Sequence, residues 1–356
     1  MTDIMNPLPS PGVGARRKGP KTLPKLPLSA FSPPNTGTSD KFPLAPSPST
    51  VHPEKVIDAH VTVRDGELSQ WREETKSAIG VKAEGAVVSL QGLSLEEVEG
   101  AIQKLQSGSA DTQIISILAP FPLENGVPAN PPSFIGSNSK IPVHLLTTYS
   151  KPSVQHAEGI RWALQNGHVV DIEVEGTIPD GDAGWEGLEE LVDKSIGPFE
   201  ERKGSIVISN ILPPPHTLEL PIVKLLTHPT YKLYQSGIAT LSLFPNVHVK
   251  FRPPMWAAAT PSTPPPSLAS TDSEARDSKE KKEWKRRIKM YLGPAVEAFG
   301  YQRILYGSAP SLTSQSKSNA GDWYELARES FTEIGLEQED IDAVFCSNAR
   351  SLYGRT

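Results

Sequence analysis

The chain has 356 residues, of which 21% are charged, and a formal net charge of -6 at pH 7. This length accommodates either one barrel domain of about 250 residues or two ordinary domains. The modest charge and the lack of a long apolar run exclude strong attraction to nucleic acid or insertion in a membrane, so we expect neither partner. The one cysteine, Cys346, excludes an internal disulfide and fits a reducing compartment, and we expect a cytoplasmic protein.

The first part of the chain differs in composition from the rest. Residues 1–52 are rich in Pro, Ser, Thr and Gly and carry basic side chains with almost no acidic ones. Such a segment cannot bury enough apolar surface to offset its ordering entropy, which predicts a disordered tail. Pro24 and Pro27, beside lysines, have the spacing of a polyproline II motif that docks in a partner protein's groove.

Residues 53–356 alternate short apolar runs with amphipathic segments, a pattern that predicts strands and helices in turn and favours one large barrel-like domain. The predicted strands are residues 55–63, 85–90, 113–118, 141–146, 168–176, 205–210 and 245–251, and the apolar run before Gly307. Residues 252–276 are rich in Pro, Ser, Thr and Ala, and they predict a low-complexity insertion in a loop above the barrel mouth.

Two predicted strands carry charged side chains on one face. In the fifth strand, Asp171, Glu173 and Glu175 share a face because side chains alternate along a strand. Helices cover the outside of a parallel barrel, so the apolar face points outward and the carboxylates point into the lumen. Buried acids are costly unless they are paired or hydrated, which favours a polar site with Glu175 nearest the mouth. In the seventh strand, His248 and Lys250 share a face in the same way.

Lys250 has two candidate roles. An ammonium group in the lumen can neutralise a substrate carboxylate or serve as a base tuned by burial. It can also act as a structural partner of Glu173 or Glu175. The sequence leaves both roles open.

Several segments resemble one family. The residues that carry the resemblance are Ile57-Asp58-Ala59-His60 at the first strand, Pro245 to Lys250 at the seventh, Phe299-Gly300, Arg303, Gly307-Ser308 and Pro310 near the eighth, and Asn348-Ala349 with Leu352-Tyr353 beyond it. The pattern resembles the amidohydrolase-related barrels of the amidohydrolase superfamily, which include the 2-pyrone-4,6-dicarboxylate lactonase type. The resemblance implies an α/β protein with a single (β/α)8 barrel of the TIM type over residues 53–356.

The chain departs from that family pattern at reacting positions. The family has a second histidine where this chain has Thr62, an Asp-His pair where the sixth strand ends in Ser209-Asn210, and an aspartate at Ala309. Family members often hold a divalent metal with these groups, and His60 alone does not suffice as a ligand set. We therefore predict no metal and no other cofactor.

The remaining polar residues define the predicted site. The predicted catalytic residues are His60, which positions a water, and Glu175, which acts as its base. The predicted substrate-binding residues are Asn210, Lys250, Arg252 and Ser308. By resemblance the protein is a hydrolase acting on a small carboxylated or lactone-like molecule. The alternative is a catalytically decayed barrel that is retained as a ligand-binding or protein-interaction module.

Overall fold

Eight parallel strands lie side by side in chain order in one sheet. In the computed structural model they are β1 Val56–Thr62, β2 Ala83–Ser89, β3 Gln113–Pro120, β4 Val143–Tyr149, β5 Val170–Val174, β6 Ile206–Leu212, β7 Val247–Phe251 and β8 Ile304–Tyr306. The predicted strands are all present, most with ends shifted by a few residues. β5 ends at Val174, two residues before its predicted end.

Helices follow most of the strands, as the alternating pattern predicts. They are α1 Ser69–Thr75, α2 Leu95–Ser107, α3 Val154–Gln165, α4 Trp185–Ser195, α5 Ile222–Leu225, α6 Pro229–Ser242, α7 Lys279–Phe299, α8 Ala320–Glu333, α9 Gln338–Asp342 and α10 Asn348–Tyr353. After β3 the described residues contain a single 3-10 turn, Leu123–Asn125, in place of an α-helix. The predicted (β/α)8 barrel is confirmed, with the third helix replaced by this turn.

The structure describes residues 51–63, 67–107, 112–135, 139–175, 184–196, 204–214, 220–256, 258–263, 279–314 and 317–354. The predicted tail therefore lies outside the described residues up to position 50, and so does its proline motif. Most of the predicted insertion, at position 257 and positions 264–278, also lies outside them. None of the helices that are described is long and apolar enough to cross a bilayer.

The described part of the predicted insertion packs onto the barrel. Arg252 and Trp256 are buried, and the Trp256 ring lies 5.0 Å from the Trp284 ring of α7. The Thr263 amide donates to Asp322 Oδ1 over 2.6 Å. The described residues of the predicted insertion are therefore held against the barrel by packing and hydrogen bonds.

Side chains of the strands divide into an outer and an inner set. On β7, Val249 and Phe251 join the apolar core between strands and helices, whereas Lys250 points into the lumen. A smaller apolar cluster fills the inside of the barrel and is called the lower lumen core below. Its members are Ile57, Ala59, Val87, Ile115, Leu118, Leu146, Val169, Val207, Leu305, Cys346, Ala349 and Tyr353.

Helix α10 closes the end of the barrel at which the strands begin. Arg350 pairs with Glu84 at the start of β2, and the Tyr353 ring lies 5.7 Å from the His144 ring at the start of β4. Tyr353 is fully buried and reaches up into the lumen, where Lys250 Nζ lies 5.3 Å from its ring centroid. The C-terminal helix is therefore part of the lumen filling.

Strands β1 and β8 meet at a seam. The Ala309 amide donates to the His60 carbonyl over 3.0 Å, and the Ser308 amide donates to Asp58 Oδ1 over 3.0 Å. The other oxygen of the Asp58 carboxylate accepts from Trp71 Nε1 over 2.8 Å. The register of β1 shifts between Asp58 and Val61, and the resulting bulge turns His60 to the inside next to Ala59.

Candidate functional site

The upper lumen contains a first ion pair, between Lys250 and Asp171. Lys250 Nζ donates to Asp171 Oδ2, and both side chains are fully buried. Lys250 Nζ also lies 3.3 Å from His60 Nδ1, and Ser209 Oγ donates to Asp171 Oδ1 over 2.6 Å. Strands β1, β5, β6 and β7 each contribute one of these four side chains, so the group is built by the barrel itself.

A second ion pair lies two residues further along each chain segment, between Glu173 of β5 and Arg252, which directly follows the end of β7. Arg252 Nη1 donates to Glu173 Oε2 over 2.8 Å, and Ser311 Oγ donates to Glu173 Oε1. Arg252 Nε also donates to the Ala309 carbonyl over 2.9 Å. The five buried residues His60, Asp171, Glu173, Lys250 and Arg252 are called the mouth cluster below.

The charges of the mouth cluster balance because each carboxylate faces a cation. Burial opposes ionisation of Asp171, but the Lys250 ammonium outweighs it and holds the pKa of Asp171 well below its usual range. The pKa of Glu173 is likewise lowered, because the Arg252 guanidinium outweighs the effect of burial. Burial lowers the pKa of Lys250 despite the Asp171 carboxylate. Burial and the two cations lower the pKa of His60 to about 3, so its ring is neutral.

Two hydrogen-bond donors of the mouth cluster have no acceptor among the described residues. Because an ammonium group only donates, His60 Nδ1 accepts from Lys250 and the proton of the neutral ring lies on Nε2. His60 Nε2 and Arg252 Nη2 are both buried without a hydrogen-bond partner in the described part of the chain. Gly307 lies beside both residues, since a Cβ there would be 3.0 Å from His60 Cβ and 3.4 Å from Arg252 Cγ.

Three of the predicted site residues meet in the mouth cluster and three do not. His60, Lys250 and Arg252 lie together, as described above. Glu175 follows the last residue of β5 and is exposed, so it does not join the buried group. Of the other two, Asn210 donates to the Val174 carbonyl over 2.7 Å, and Ser308 bonds to Asp58 at the seam.

The conformation of Asn210 accounts for its position. Its φ is 67°, in the left-handed region that asparagine tolerates better than most residues, and β6 changes register between Ile208 and Leu212. The side chain consequently turns toward the end of β5 and toward Met255 Sδ, 3.0 Å away. The Asn210 side chain therefore links the end of β5 to the segment that follows β7.

The predicted site omits several residues of the actual group. Asp171 and Glu173 were recognisable as inward acids. The signal that identifies their partners is a pair of cations at alternate positions, Lys250 on β7 and Arg252 directly after it. Ser311 and Tyr353 arrive from a loop and from the C-terminal helix, and no local pattern in the sequence points to either contact.

A divalent metal does not fit this donor set. Both carboxylates of the cluster already face a cation, and His60 Nδ1 faces the Lys250 ammonium. A metal ion here would lie next to two positive groups and be repelled by them. Within the described residues, no group of three His, Cys, Asp or Glu side chains is arranged to hold a metal.

The residues near the C-terminus that carry the family resemblance make hydrogen bonds within the fold. Arg303 Nη1 donates to the Ser242 and Phe244 carbonyls, each over 3.0 Å, which fixes the end of α6. Asn348 Nδ2 donates to the Tyr301 and Ile304 carbonyls and thereby ties α10 to the start of β8. These letters specify the fold and not a reaction.

Comparison with known proteins finds no matching family model and no match among the curated proteins. Among solved structures, the chain is similar to an amidohydrolase from Burkholderia multivorans with bound zinc, at 14% identity and a TM-score of 0.56, covering 84% of this chain and 99% of that one. It is also similar to amidohydrolase 2 from Bifidobacterium longum subsp. infantis, at 14% identity and a TM-score of 0.50, covering 84% of this chain and 98% of that one. A third similar structure is a 2-pyrone-4,6-dicarboxylic acid hydrolase, named as putative, from Pseudomonas putida, at 14% identity and a TM-score of 0.50, covering 84% of this chain and 97% of that one. The (β/α)8 fold that the sequence motifs predicted is confirmed, and the chain is similar in fold to these amidohydrolase and hydrolase structures.

Proposed function

We propose that the barrel binds a small carboxylated molecule at the end of the lumen where the strands finish, through Arg252 and His60. The observation that carries the proposal is the pair of buried donors, Arg252 Nη2 and His60 Nε2, without an acceptor among the described residues. A buried donor without a partner costs about 1–3 kcal/mol, and more when it is charged. A ligand oxygen placed between the two donors removes that cost.

The chemistry of the two donors favours a carboxylate. The planar guanidinium presents parallel N–H groups that match the two oxygens of a carboxylate, and hydrogen bonds to charged groups are the stronger kind. Asp171 and Glu173 already neutralise the two cations, so the cluster attracts the ligand mainly through directed hydrogen bonds. A Cβ at Gly307 would already crowd His60 and Arg252, so little room remains beside the two donors and the ligand is small.

Hydrolysis requires a base that removes a proton from water, and the mouth cluster supplies only weak ones. The pKa values of Asp171 and Glu173 are lowered by their cation partners, and that of His60 is about 3. A base is most effective when its pKa lies near the working pH. Ala309 has no titratable group at the position where the family has its aspartate. These observations support binding without turnover.

The test is calorimetric titration of the full chain with acetate, pyruvate and succinate, comparing Arg252→Lys with wild type. Lysine keeps a charge for Glu173 but lacks the second terminal nitrogen of the guanidinium, so affinity is expected to fall by about 1.5–3 kcal/mol, or roughly 10- to 150-fold. Arg286→Lys, on the exposed face of α7, is the matched control and should bind like wild type. Equal affinity of Arg252→Lys and wild type, or no binding of any carboxylate, contradicts the proposal.

A second candidate function is hydrolysis of a lactone or similar ester. The same two donors favour it, because an N–H pair fixed in a buried place can stabilise the oxyanion that forms when water attacks a carbonyl. A panel of lactones assayed with and without a chelator separates the candidates. Turnover that survives the chelator and is lost in Arg252→Lys supports hydrolysis, whereas carboxylate binding without turnover supports the first proposal.

A further inference from the structure

The Lys250 amine is the one nucleophile of the mouth cluster that the proposed function does not use. It is fully buried on the inward face of β7, two residues before Arg252, which directly follows the end of that strand. Alternate residues of an extended chain are about 7 Å apart at their Cα atoms. Lys250 Nζ lies 3.3 Å from His60 Nδ1, and Arg252 and His60 both lie against Gly307. A molecule whose carboxylate binds Arg252 therefore presents its neighbouring carbon toward Lys250.

We propose that Lys250 forms an imine with the carbonyl carbon of a small 2-oxo acid whose carboxylate is bound by Arg252. The inference rests on the proposed function, because it needs the carboxylate at Arg252. It goes further by naming the ligand class and a covalent step. In a 2-oxo acid the reacting carbon is bonded directly to the carboxylate carbon, so one anchor positions the other group.

The contacts of Lys250 provide a path for its proton. Its ammonium donates one proton to His60 Nδ1, and His60 Nε2, the donor without a partner, gives its own proton to the carbonyl oxygen. The amine nitrogen then bonds to the carbonyl carbon to form a protonated carbinolamine. That nitrogen loses one proton to the hydroxyl, which leaves as water, and the product is an iminium ion. One ammonium and one carbonyl thus give one iminium and one water, and the imidazole is neutral before and after.

The charge balance of the cluster favours this product. An iminium nitrogen keeps the positive charge of the ammonium, so the buried Asp171 carboxylate remains paired throughout. Burial also lowers the pKa of Lys250, which raises the fraction of free amine above that of an exposed lysine. Tyr353 supports the side chain from below, with its ring centroid 5.3 Å from Nζ.

The test traps the imine in the wild-type full chain. The protein is incubated with pyruvate and sodium cyanoborohydride, which reduces an iminium to a stable secondary amine, and the labelled lysines are mapped by mass spectrometry of peptides. Lys250 is expected to be labelled at least about tenfold faster than exposed Lys232, since a carboxylate held by Arg252 keeps the carbonyl carbon next to the Lys250 amine. Acetate, which binds Arg252 but has no reactive carbonyl, should slow labelling of Lys250 and leave Lys232 unchanged.

The outcomes separate the inference from the proposed function. Carboxylate binding in the titration without labelling of Lys250, or with labelling no faster than at Lys232, overturns the imine and leaves the binding function intact. Absence of both binding and labelling overturns both. Lys250→Arg should remove the label and Lys232→Arg should not, and the wild-type peptide map decides the question even where the buried variant fails to fold.

Discussion

The two halves of the lumen are filled by opposite means. The lower lumen core consists mostly of aliphatic side chains capped by Tyr353, and it stabilises the barrel by removing apolar surface from water. The mouth cluster consists of four charged side chains and a histidine whose burial is tolerated only because the charges are paired. The mouth cluster has paired charges but two hydrogen-bond donors without acceptors among the described residues, and it lies on an apolar layer. A ligand site needs such free donors, whereas a purely structural core does not need them.

Acidification should lower the free energy of unfolding more than any other change considered, because buried histidines lie in both halves of the lumen. Burial lowers the pKa of His60 to about 3 and those of His144 and His248, in the lower half, to about 4. These folded-state values lie below the unfolded value, so the unfolded chain binds more protons as the pH drops below about 6.5. Full stability is expected above that pH, with a loss of about 1.4 kcal/mol per pH unit per histidine down to about pH 4.

Urea unfolding measured between pH 7.5 and 4 checks this. The His144→Gln variant should show a smaller slope than wild type because one of the three groups no longer titrates. A stability that stays flat from pH 6.5 to 5 would contradict the burial of these rings.

Breaking one ion pair should show that the mouth cluster is held by charge balance. In Asp171→Asn the Lys250 ammonium remains buried without its counter-ion, and the free energy of unfolding should fall by about 3–5 kcal/mol. The double variant Asp171→Leu/Lys250→Met removes both charges and should recover most of that loss. Urea unfolding at pH 7 measures both, and a double variant as unstable as the single one would argue against the pairing.

A substitution at the seam between β1 and β8 should lower the free energy of unfolding by an intermediate amount. In Asp58→Asn the amide oxygen still accepts from the Ser308 and His60 amides, but the amide nitrogen faces Trp71 Nε1, a donor. Leaving that donor unsatisfied should cost about 1–3 kcal/mol. Trp71→Phe in the Asp58→Asn background removes the unpaired donor and should reduce the further loss, as thermal unfolding can test.

A methylene deletion in the lower lumen core should have a smaller effect than either polar change. Ile57→Val at full burial is expected to cost about 0.5–1.5 kcal/mol through lost contacts and a small cavity. Affinity for a carboxylate should not change, since the residue lies below the mouth cluster. A change in affinity without a change in stability would show that the two halves are not independent.

Substitution of Glu175 should change stability and binding the least. Its side chain is exposed beyond the end of β5, so Glu175→Gln is expected to change stability by less than about 0.5 kcal/mol. It should also leave carboxylate binding and labelling of Lys250 unaltered. Loss of any detected activity in this variant would restore the predicted role of Glu175 as a base.

The fold was predictable because each strand has its own local pattern. Alternation along β5 and β7 also placed Asp171, Glu173 and Lys250 inside the barrel. Alternation fails where a strand ends or bulges. Glu175 was predicted to face the lumen as the next member of the series, but β5 has already ended.

Contacts between distant parts of the chain were not predictable. The contact between Tyr353 and Lys250 depends on where the C-terminal helix returns to the barrel, and the hydrogen bond from Ser311 to Glu173 depends on the path of a loop. Asn210 has a polar side chain at the expected strand end, yet its left-handed backbone turns it away from the cluster. The periodicity of the sequence predicts which face of a strand is buried. It does not predict the path of the loops.

The seam at Asp58 also bears on how the barrel folds. Asp58 and Ser308 are separated by 250 positions, so their hydrogen bond closes one of the longest loops that this chain can form. Loop-closure entropy makes such a contact slow to form, and the neighbouring strands can pair in sequence before it exists. We therefore expect the amides of Ser308 and Ala309 to gain protection from hydrogen exchange after those of β2 to β6, and to open first when the native barrel fluctuates.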